Sequence, residues 1–550
     1  MRVYFNSCLS MAVISKILTF PNLTLAAAVE SFFAIKLFPE YYSTQSHLAA
    51  VATILLINYA FGVFFWAVLY PVLFSPLRHI PGPRAYISAA HRALIVKDRP
   101  SGDLFLDLAR AYPGEDMITL NSLRSQICLM NPQLLADLLV HNCYDFAKPK
   151  KISSFLRHIL GDGLIIVEGD QHKFLRKNTT PAFHFRHIKE LYPMMWKKSQ
   201  ALAKAIKQDM TDSNTSIVEL NSWASKVTLD IIGIAGLGRR FEAVEKKKDP
   251  LADIYEQLLD PDREKLIFSM LSLAIGLPII RLIPWKMNDV FNYLTGSLNT
   301  LCYPMIKEKK AAIIEKGDDH FDVLSLLIKT NNFSDESLKD QLLTFLAAGH
   351  ETTSSAITWA CYLLTKYPEL QTKLREEVRN ALPEDLASDP TVDLAGVLEQ
   401  LPYLNGIMHE TLRLYPTVPL TMRQAVRDTR IGNQFIPEGA DVIVSIWYIN
   451  RSPDIWGADA AEFRPERWIT EDGKPNQNGG SNSNYNFLTF LHGPRSCIGQ
   501  GFAKAELRCL LATMVRSFEW TLAMDDGLVM PRGVITIKPE NGMYLKLKAL

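Results

Sequence analysis

A cysteine that lies between two glycines is the residue of this chain that most clearly indicates chemistry. Cys497 lies in the run FLHGPRSCIG, which begins at Phe490 and ends at Gly499. Glycines at 493 and 499 let the backbone pass close to a flat macrocycle, and loop N–H groups can stabilise a thiolate. Arg495 can pair with a carboxylate of that macrocycle. The run therefore predicts that Cys497 ligates a haem iron, although a buried, inert cysteine is the ordinary alternative.

A second run, AAGHETT over residues 347–353, lies within an apolar helical pattern. A glycine inside a helix costs about 1 kcal/mol relative to alanine. The small residues Ala348 and Gly349 would leave room for dioxygen and permit a local bulge in the helix. Glu351 and Thr352 would then supply an acid and a hydroxyl for proton delivery. A His-Glu-x-x-His zinc site is excluded, because Ser354 stands where the second histidine is required.

Both runs resemble motifs of the cytochrome P450 superfamily. The first matches every position of Phe-x-x-Gly-x-Arg-x-Cys-x-Gly, and the second matches Ala/Gly-Gly-x-Asp/Glu-Thr-Thr/Ser. The resemblance covers about residues 78–550 and is strongest to fungal biosynthetic members. It implies haem b with Cys497 as axial thiolate, Thr352 in oxygen binding and proton delivery, and Glu351 as the acid.

The resemblance also implies residues that hold the haem propionates. Arg495 is one, and Arg423 matches a strand arginine of the family. The run HKFLR matches the helix motif Trp-x-x-x-Arg at Arg176, but His172 replaces the tryptophan. A histidine ring can still donate an N–H to a propionate. The alternative for both residues is a solvated helix face.

Three charged residues match a structural network of the family. Glu410 and Arg413 have the i,i+3 spacing that places them on one helix face. Arg467 follows in a proline-marked turn. The resemblance makes the three a buried ion triad behind the haem, with a structural role.

The fold class predicted is mainly α with small β-sheets, a cytochrome P450 fold preceded by a transmembrane helix. Residues 48–77 carry no charge and are long enough to span a bilayer. The stretch from Ile17 to Ile35 is interrupted by Glu30, so it is predicted as a second span, an interfacial helix or a signal-like lead. The predicted organisation is a segment 1–47, an anchor 48–77, a proline-rich hinge 78–84 and a haem-binding catalytic domain 85–550.

Charge and cysteine content indicate location. The net charge of +1 gives no electrostatic case for nucleic acid as a partner. The seven cysteines form no Cys-x-x-Cys pair, which is typical of a reducing compartment. The basic residues after the anchor predict a cytosolic flank, and hence an endoplasmic reticulum membrane protein whose catalytic domain faces the cytosol. They are Arg78, Arg84, Arg92, Lys97 and Arg99. Of the glycosylation sequons, Asn22 alone is usable, and only if it is lumenal.

The predicted partners follow from the resemblance. Electrons would come from NADPH through cytochrome P450 reductase, with cytochrome b5 as a further donor. The apolar segment from Leu266 to Pro284 favours a lipophilic substrate arriving from the bilayer, although a core helix is equally consistent with it. Lys173, Lys177, Lys504 and Arg508 are predicted to form a basic patch for an acidic electron donor.

The chain is thus expected to be an anchored haem-thiolate monooxygenase that hydroxylates or epoxidises a lipophilic small molecule, such as a terpenoid or polyketide, in secondary-metabolite biosynthesis. Two alternatives stay open. One is a haem-thiolate isomerase that rearranges peroxides, and the other is a non-catalytic haem sensor or electron carrier. Glu351 and Thr352 favour the monooxygenase, because neither alternative requires a proton-delivery pair.

Overall fold

The computed structural model describes residues 20–38, 47–83, 99–100, 102–120, 126–245, 250, 254, 257, 263–316, 322–389, 391–533 and 535–550. Arg84, Arg92 and Lys97 of the predicted basic flank lie outside the described residues, as does the start of the predicted second apolar stretch. The described part is mainly helical with small sheets, which confirms this part of the predicted fold class.

The α-helices of the described residues are, in chain order, α1 Phe20–Leu37, α2 His47–Phe64, α3 Asp103–Ala111, α4 Lys150–Leu160, α5 Gly169–Thr179, α6 Phe185–Asp212, α7 Leu220–Ile232, α8 Arg263–Ala274, α9 Leu277–Ile280, α10 Lys286–Lys316, α11 Val323–Thr330, α12 Asp335–Lys366, α13 Pro368–Ala381, α14 Glu384–Ser388, α15 Leu394–Leu398, α16 Pro402–Leu414, α17 Ile446–Ile449, α18 Pro453–Trp456 and α19 Gln500–Ser517.

The strands are β1 Met117–Thr119, β2 Gln126–Leu129, β3 Phe146–Ala147, β4 Ile217–Glu219, β5 Leu420–Ala425, β6 Thr429–Ile431, β7 Gln434–Ile436, β8 Asp441–Ser445, β9 Phe518–Leu522, β10 Pro531–Arg532, β11 Lys538–Pro539 and β12 Tyr544–Ala549. The largest sheet has the order β1-β2-β8-β5-β3, in which β2 and β8 are parallel and the other neighbours antiparallel. Smaller sheets have the orders β4-β12-β9, β10-β11 and β6-β7.

The long helix α12 forms the axis of the main core. Ser334 caps its first turn by accepting a hydrogen bond from the Ser337 N–H at 3.1 Å. Residues 338–346 and 353–364 are buried, and the helix packs against α7, α10, α16 and α19. A helix buried on nearly all sides holds its side chains in fixed positions. The second apolar cluster lies under the five-stranded sheet.

Two apolar helices precede the globular body and pack against each other. Asn58 on α2 donates a hydrogen bond from Nδ2 to Oε2 of Glu30 on α1, at 2.6 Å. The polar residue that interrupts each apolar helix is therefore paired with the other. Within the described residues, no helix combines the length and hydropathy needed to cross a bilayer. The anchor predicted for residues 48–77 finds no support there.

Candidate haem site

Cys497 lies in the loop between a 3-10 turn, Gly493–Arg495, and the start of α19. Its N–H donates to the carbonyl oxygen of Phe490 at 2.8 Å, which closes the loop. The side chain is solvent-accessible, yet burial raises the pKa of its thiol, against opposing effects of the Gly499 N–H and the charge of Arg176. Both observations hold if the sulfur faces a space inside the protein.

The two glycines of the loop have different roles. Gly493 has φ +77°, and a Cβ there would collide with the carbonyl oxygen of Leu139. Its small size therefore allows the loop to pack closely against the backbone at Leu139. A Cβ on Gly499 would meet no atom within 4 Å. The predicted approach of the backbone to a flat macrocycle requires open space. The structure has this space beside Gly499 and not beside Gly493.

The middle of α12 is the one stretch of its core segment with partly accessible side chains. Residues 347–349, Glu351 and Thr352 are half-buried, whereas the turns on either side are buried. The Thr352 hydroxyl donates to the carbonyl oxygen of Ala348 at 2.6 Å. The predicted local bulge is not present, because the helix is continuous from 335 to 366. The predicted space at Gly349 is also occupied: a Cβ there would lie 2.7 Å from Cδ1 of Ile232 on α7.

A cluster of cations lies between β5, α5 and the cysteine loop. Arg495 donates to the carbonyl oxygens of Cys143 at 2.9 Å and Phe146 at 2.5 Å, and pairs with Glu168 at 2.5 Å. Glu168 also pairs with Lys148 at 3.2 Å. Sequence reasoning missed Glu168 and Lys148, since neither stands in a motif.

Burial makes this cluster electrostatically costly. It lowers the pKa of Arg423 to about 10, helped by the charge of Arg495, and lowers the pKa of Lys148 to about 8, against the raising effect of Glu168. Arg423 donates to Oγ1 of Thr421 and to the Met422 carbonyl oxygen, both at 2.8 Å, and neither group is an anion. Uncompensated buried charge calls for an anionic partner.

His172 and Arg176 lie on α5 beside this cluster. Burial lowers the pKa of His172 to about 4, and the charge of Arg495 acts in the same direction, so its ring is neutral. The His172 ring nitrogen Nδ1 lies 3.2 Å from the hydroxyl of Tyr144. Arg176 donates to the carbonyl oxygen of Ser496 at 2.6 Å, which ties α5 to the residue preceding Cys497.

The structure brings the three charged residues of the predicted triad together. Glu410 and Arg413 form a fully buried bidentate pair, with N–O distances of 2.7 and 2.8 Å. Arg467 approaches the same carboxylate at 3.3 Å, and the indole N–H of Trp468 donates to it at 2.9 Å. Arg413 also donates to the Asn450 carbonyl oxygen. The network therefore links α16 to the residue that follows α17.

Two members of the predicted basic patch are not on the surface. Lys504 and Arg508 are 8% and 5% exposed. Arg508 bonds to Asn405 at 2.8 Å and to the Tyr192 hydroxyl at 3.1 Å. The patch prediction is wrong for both, because α19 is a core helix and these two side chains form their hydrogen bonds inside the protein, Lys504 with Gln477 at 3.1 Å. Lys173 and Lys177 are exposed.

Comparison with known proteins decides the family. The cytochrome P450 family model matches residues 95–546. The chain belongs to the cytochrome P450 family. It is 38% identical to cytochrome P450 monooxygenase sphH of Aspergillus fumigatus, over 92% of this chain and 95% of the relative. It is 36% identical to cytochrome P450 monooxygenase ptmK of Penicillium ochrochloron, over 89% and 97%.

This P450 is a monooxygenase, in keeping with relatives such as FUM15 of Gibberella moniliformis, which is 34% identical over 93% of this chain and 95% of the relative. The fold agrees with a solved structure described as "Crystal structure of cytochrome P450DA heme domain". The TM-score is 0.70 at 24% identity, over 86% of this chain and 98% of that chain.

The residues of this P450 fit a haem. Among the described residues, Glu168 is the carboxylate in ion-pair distance of Lys148 and Arg495, while Arg176 and Arg423 have no such partner. The buried Nε of Arg495 also has no hydrogen-bond partner in that part of the chain. The two propionates of haem would supply the missing anions, and Cys497 would supply the thiolate.

Replacing Arg423 by methionine is expected to accelerate haem loss. A hydrogen bond to a charged group contributes about 1.5–3 kcal/mol, so haem should bind about ten- to a hundredfold more weakly. The rate of haem transfer to an apo-globin acceptor measures this. The control is R430M, because Arg430 is exposed on β6. Equal transfer rates from the R423M and R430M variants would contradict the assignment.

Proposed function

We propose that this P450 hydroxylates or epoxidises a lipophilic small molecule in fungal secondary-metabolite biosynthesis, such as a terpenoid or polyketide, using electrons from NADPH delivered by cytochrome P450 reductase. The observation that carries the proposal is the accessible turn of α12 with the half-buried Glu351 and Thr352, in a chain whose Cys497 thiol is also accessible. Near full-length similarity to three fungal monooxygenases supports the biological setting.

When bound, haem with a thiolate ligand supplies the activation of dioxygen and the insertion of one oxygen atom into a C–H or C=C bond. The protein contributes position, protons and a dry pocket. Cys497 is the proposed ligand, and Arg423, Arg495 and Arg176 with His172 are proposed to hold the propionate side. Phe490, the first residue of the loop, lies half-buried against the main core.

Proton delivery is assigned to the accessible turn of α12. The Thr352 hydroxyl is held by the Ala348 carbonyl oxygen and retains its own lone pairs as acceptors. Glu351, which pairs with Lys538 at 2.7 Å, can take a proton from solvent and pass it towards Thr352. Ile232 covers Gly349 and closes the α7 side of this turn. The helix thereby admits protons while it limits access of bulk water.

An apolar cluster supports a lipophilic substrate. Phe155 on α4 stacks on Phe291 of α10 at 5.8 Å between ring centroids, and Phe268 and Ile280 join them. This cluster joins α4 to the segment that runs from α8 to α10. On the outer side of the same segment, Leu282 is 82% exposed. An exposed apolar side chain next to this buried apolar cluster suits a substrate that arrives from a lipid phase.

We also propose that the enzyme is attached to the endoplasmic reticulum membrane with its catalytic domain in the cytosol. Support comes from the paired helices α1 and α2, which expose large apolar side chains such as Leu25, Phe32, Leu48 and Leu56. The reductase, and cytochrome b5 as a second donor, would meet the cytosolic domain near the exposed Lys173 and Lys177.

The test of the function is expression beside a P450 reductase, followed by comparison of metabolites from intact and deleted fungal strains. A product that gains oxygen, and that forms only with NADPH and dioxygen, supports the proposal. Formation of a rearranged product from a peroxide without NADPH would favour the isomerase. Binding of haem with no turnover of any metabolite in the deleted strain would favour a sensor or electron carrier.

Replacing Thr352 by alanine is expected to uncouple the enzyme. Loss of a positioned proton donor lowers product formation by about a hundredfold, while NADPH continues to be consumed and hydrogen peroxide accumulates. The ratio of product to NADPH measures the effect, with T365A as control, since Thr365 lies in the last turn of the same helix. An unchanged ratio in T352A would remove Thr352 from proton delivery.

A further inference from the structure

Glu351, the proposed acid on α12, forms an ion pair with a lysine that lies much later in the chain. Lys538 Nζ lies 2.7 Å from Oε1 of Glu351. The two side chains are 15% and 17% exposed, so the pair is largely covered. Neither the motif that contains Glu351 nor any other sequence pattern points to this lysine, which follows 187 positions later (538 − 351).

The lysine is carried on a backbone that is fixed to α12. Lys538 begins β11, which pairs with β10 in the register Arg532↔Lys538. The carbonyl oxygen of the preceding residue, Ile537, accepts a hydrogen bond from Oγ of Ser355 at 2.5 Å. The Ile537 N–H donates to the carbonyl oxygen of Thr417 at 2.9 Å. The hairpin is therefore attached to two successive turns of α12, at 351 and at 355.

The environment makes this pair stronger than an ordinary surface pair. Exposed ion pairs contribute little because water screens them, whereas covered pairs are screened much less. The neighbouring His350 adds no competing charge. Burial lowers its pKa to about 3, and the charge of Lys538 acts in the same direction, so its ring is neutral. Lys538 is thus the cation that determines where the Glu351 carboxylate points.

We propose that Lys538 is a positioning residue for proton delivery, which holds the Glu351 carboxylate at the accessible turn of α12. It occupies Oε1 and leaves Oε2 to exchange a proton between solvent and Thr352. The inference rests on the proposed function, since proton delivery matters only in an oxygen-activating enzyme. Without the lysine, the carboxylate would leave the turn towards water and the Thr352 hydroxyl would lose its proton source.

The first test compares K538M, K538R and K548M in the full-length, haem-loaded enzyme. Lys548 is the matched control, because it pairs with Glu519 at 3.3 Å on the same C-terminal region but is 74% exposed. K538M should raise the hydrogen peroxide released per NADPH about threefold or more and enlarge the solvent deuterium isotope effect. K538R should restore both values, and K548M should leave them unchanged. An unchanged peroxide yield in K538M would overturn the proposal.

The second test asks whether Lys538 acts through Glu351. In the E351Q background, K538M should add no further loss of coupling, since the group that it positions is already gone. Additive losses would overturn the proposal, because they indicate a general structural role. K538Q replaces K538M if the methionine variant fails to retain haem.

A readout that needs no turnover separates this inference from the proposed function. The unfolding midpoints of wild type, E351Q, K538M and the double variant form a cycle that reports the ion pair directly. If the midpoints are non-additive but the wild type shows no oxygenation, the ion pair is established. The monooxygenase proposal and this role for Lys538 are then both contradicted. Additive midpoints in an active wild type would sink the positioning role alone.

Discussion

Replacing Cys497 by alanine is expected to abolish all oxygenase activity and the red-shifted absorption band that reduced, CO-bound haem shows when a thiolate is its ligand. As the proposed ligand, the sulfur would supply the electron density that favours O–O cleavage, and no other side chain of the loop from 490 to 499 is expected to replace it, since His492 is half-buried against Tyr485. The protein should still fold, because the loop is closed by the Cys497 N–H and not by its side chain.

The matched control is C302A, because Cys302 is buried in α10 among apolar side chains, and burial raises the pKa of its thiol to about 12. Such a thiol is inert. Absorption spectra of both variants, recorded at equal protein concentration, give the result. A normal thiolate band in C497A, or its loss in C302A, would contradict the ligand assignment.

Replacing Glu410 by glutamine is expected to cost about 3–5 kcal/mol in the free energy of unfolding, because it leaves Arg413 as a fully buried charge without its counterion. Glutamine keeps the shape of glutamate but supplies one acceptor oxygen in place of two. The donors Arg467 and Trp468 lose the same partner. Most of the protein is then expected to be insoluble or free of haem in the expression host.

Denaturant unfolding of the soluble fraction, followed by tryptophan fluorescence, measures this cost. The control is E384Q, because Glu384 pairs with Arg516 at 2.7 Å but is 92% exposed. A pair of that kind contributes about 0–1 kcal/mol. Similar destabilisation of E410Q and E384Q would show that the triad does not stabilise the fold as assigned. If E410Q yields no soluble protein, R467Q, at the 9% exposed edge of the triad, gives the milder comparison.

The sequence identified the residues that stand in short motifs and missed the residues that complete them from a distance. Cys497, Arg495 and the turn around Thr352 could be located because their spacing is local. Glu168 and Lys538 could not, because each meets its partner only through the fold: Lys538 approaches Glu351 across a hairpin, and Glu168 approaches Arg495 from the start of α5. No periodic pattern encodes such contacts.

Two errors have physical causes that act beyond local sequence. Lys504 and Arg508 have helical spacing typical of a solvated face, yet α19 is enclosed by α6, α12 and α13, so their charges bond internally. Gly349 was expected to leave a space, but the side chain of Ile232 on another helix fills it. Small residues show where two elements can approach, and only the neighbouring element shows what occupies the gap.

The parallel pairing of β2 with β8 has a consequence for how the protein is made. Gln126 and Asp441 face each other in this sheet although they are 315 residues apart in the chain. At about 5–20 residues per second, the ribosome exposes β2 many seconds before its partner exists. An unpaired apolar strand is prone to aggregate. Nascent chains of this enzyme should therefore depend on chaperones until β8 emerges, and haem should be loaded only after synthesis of Cys497.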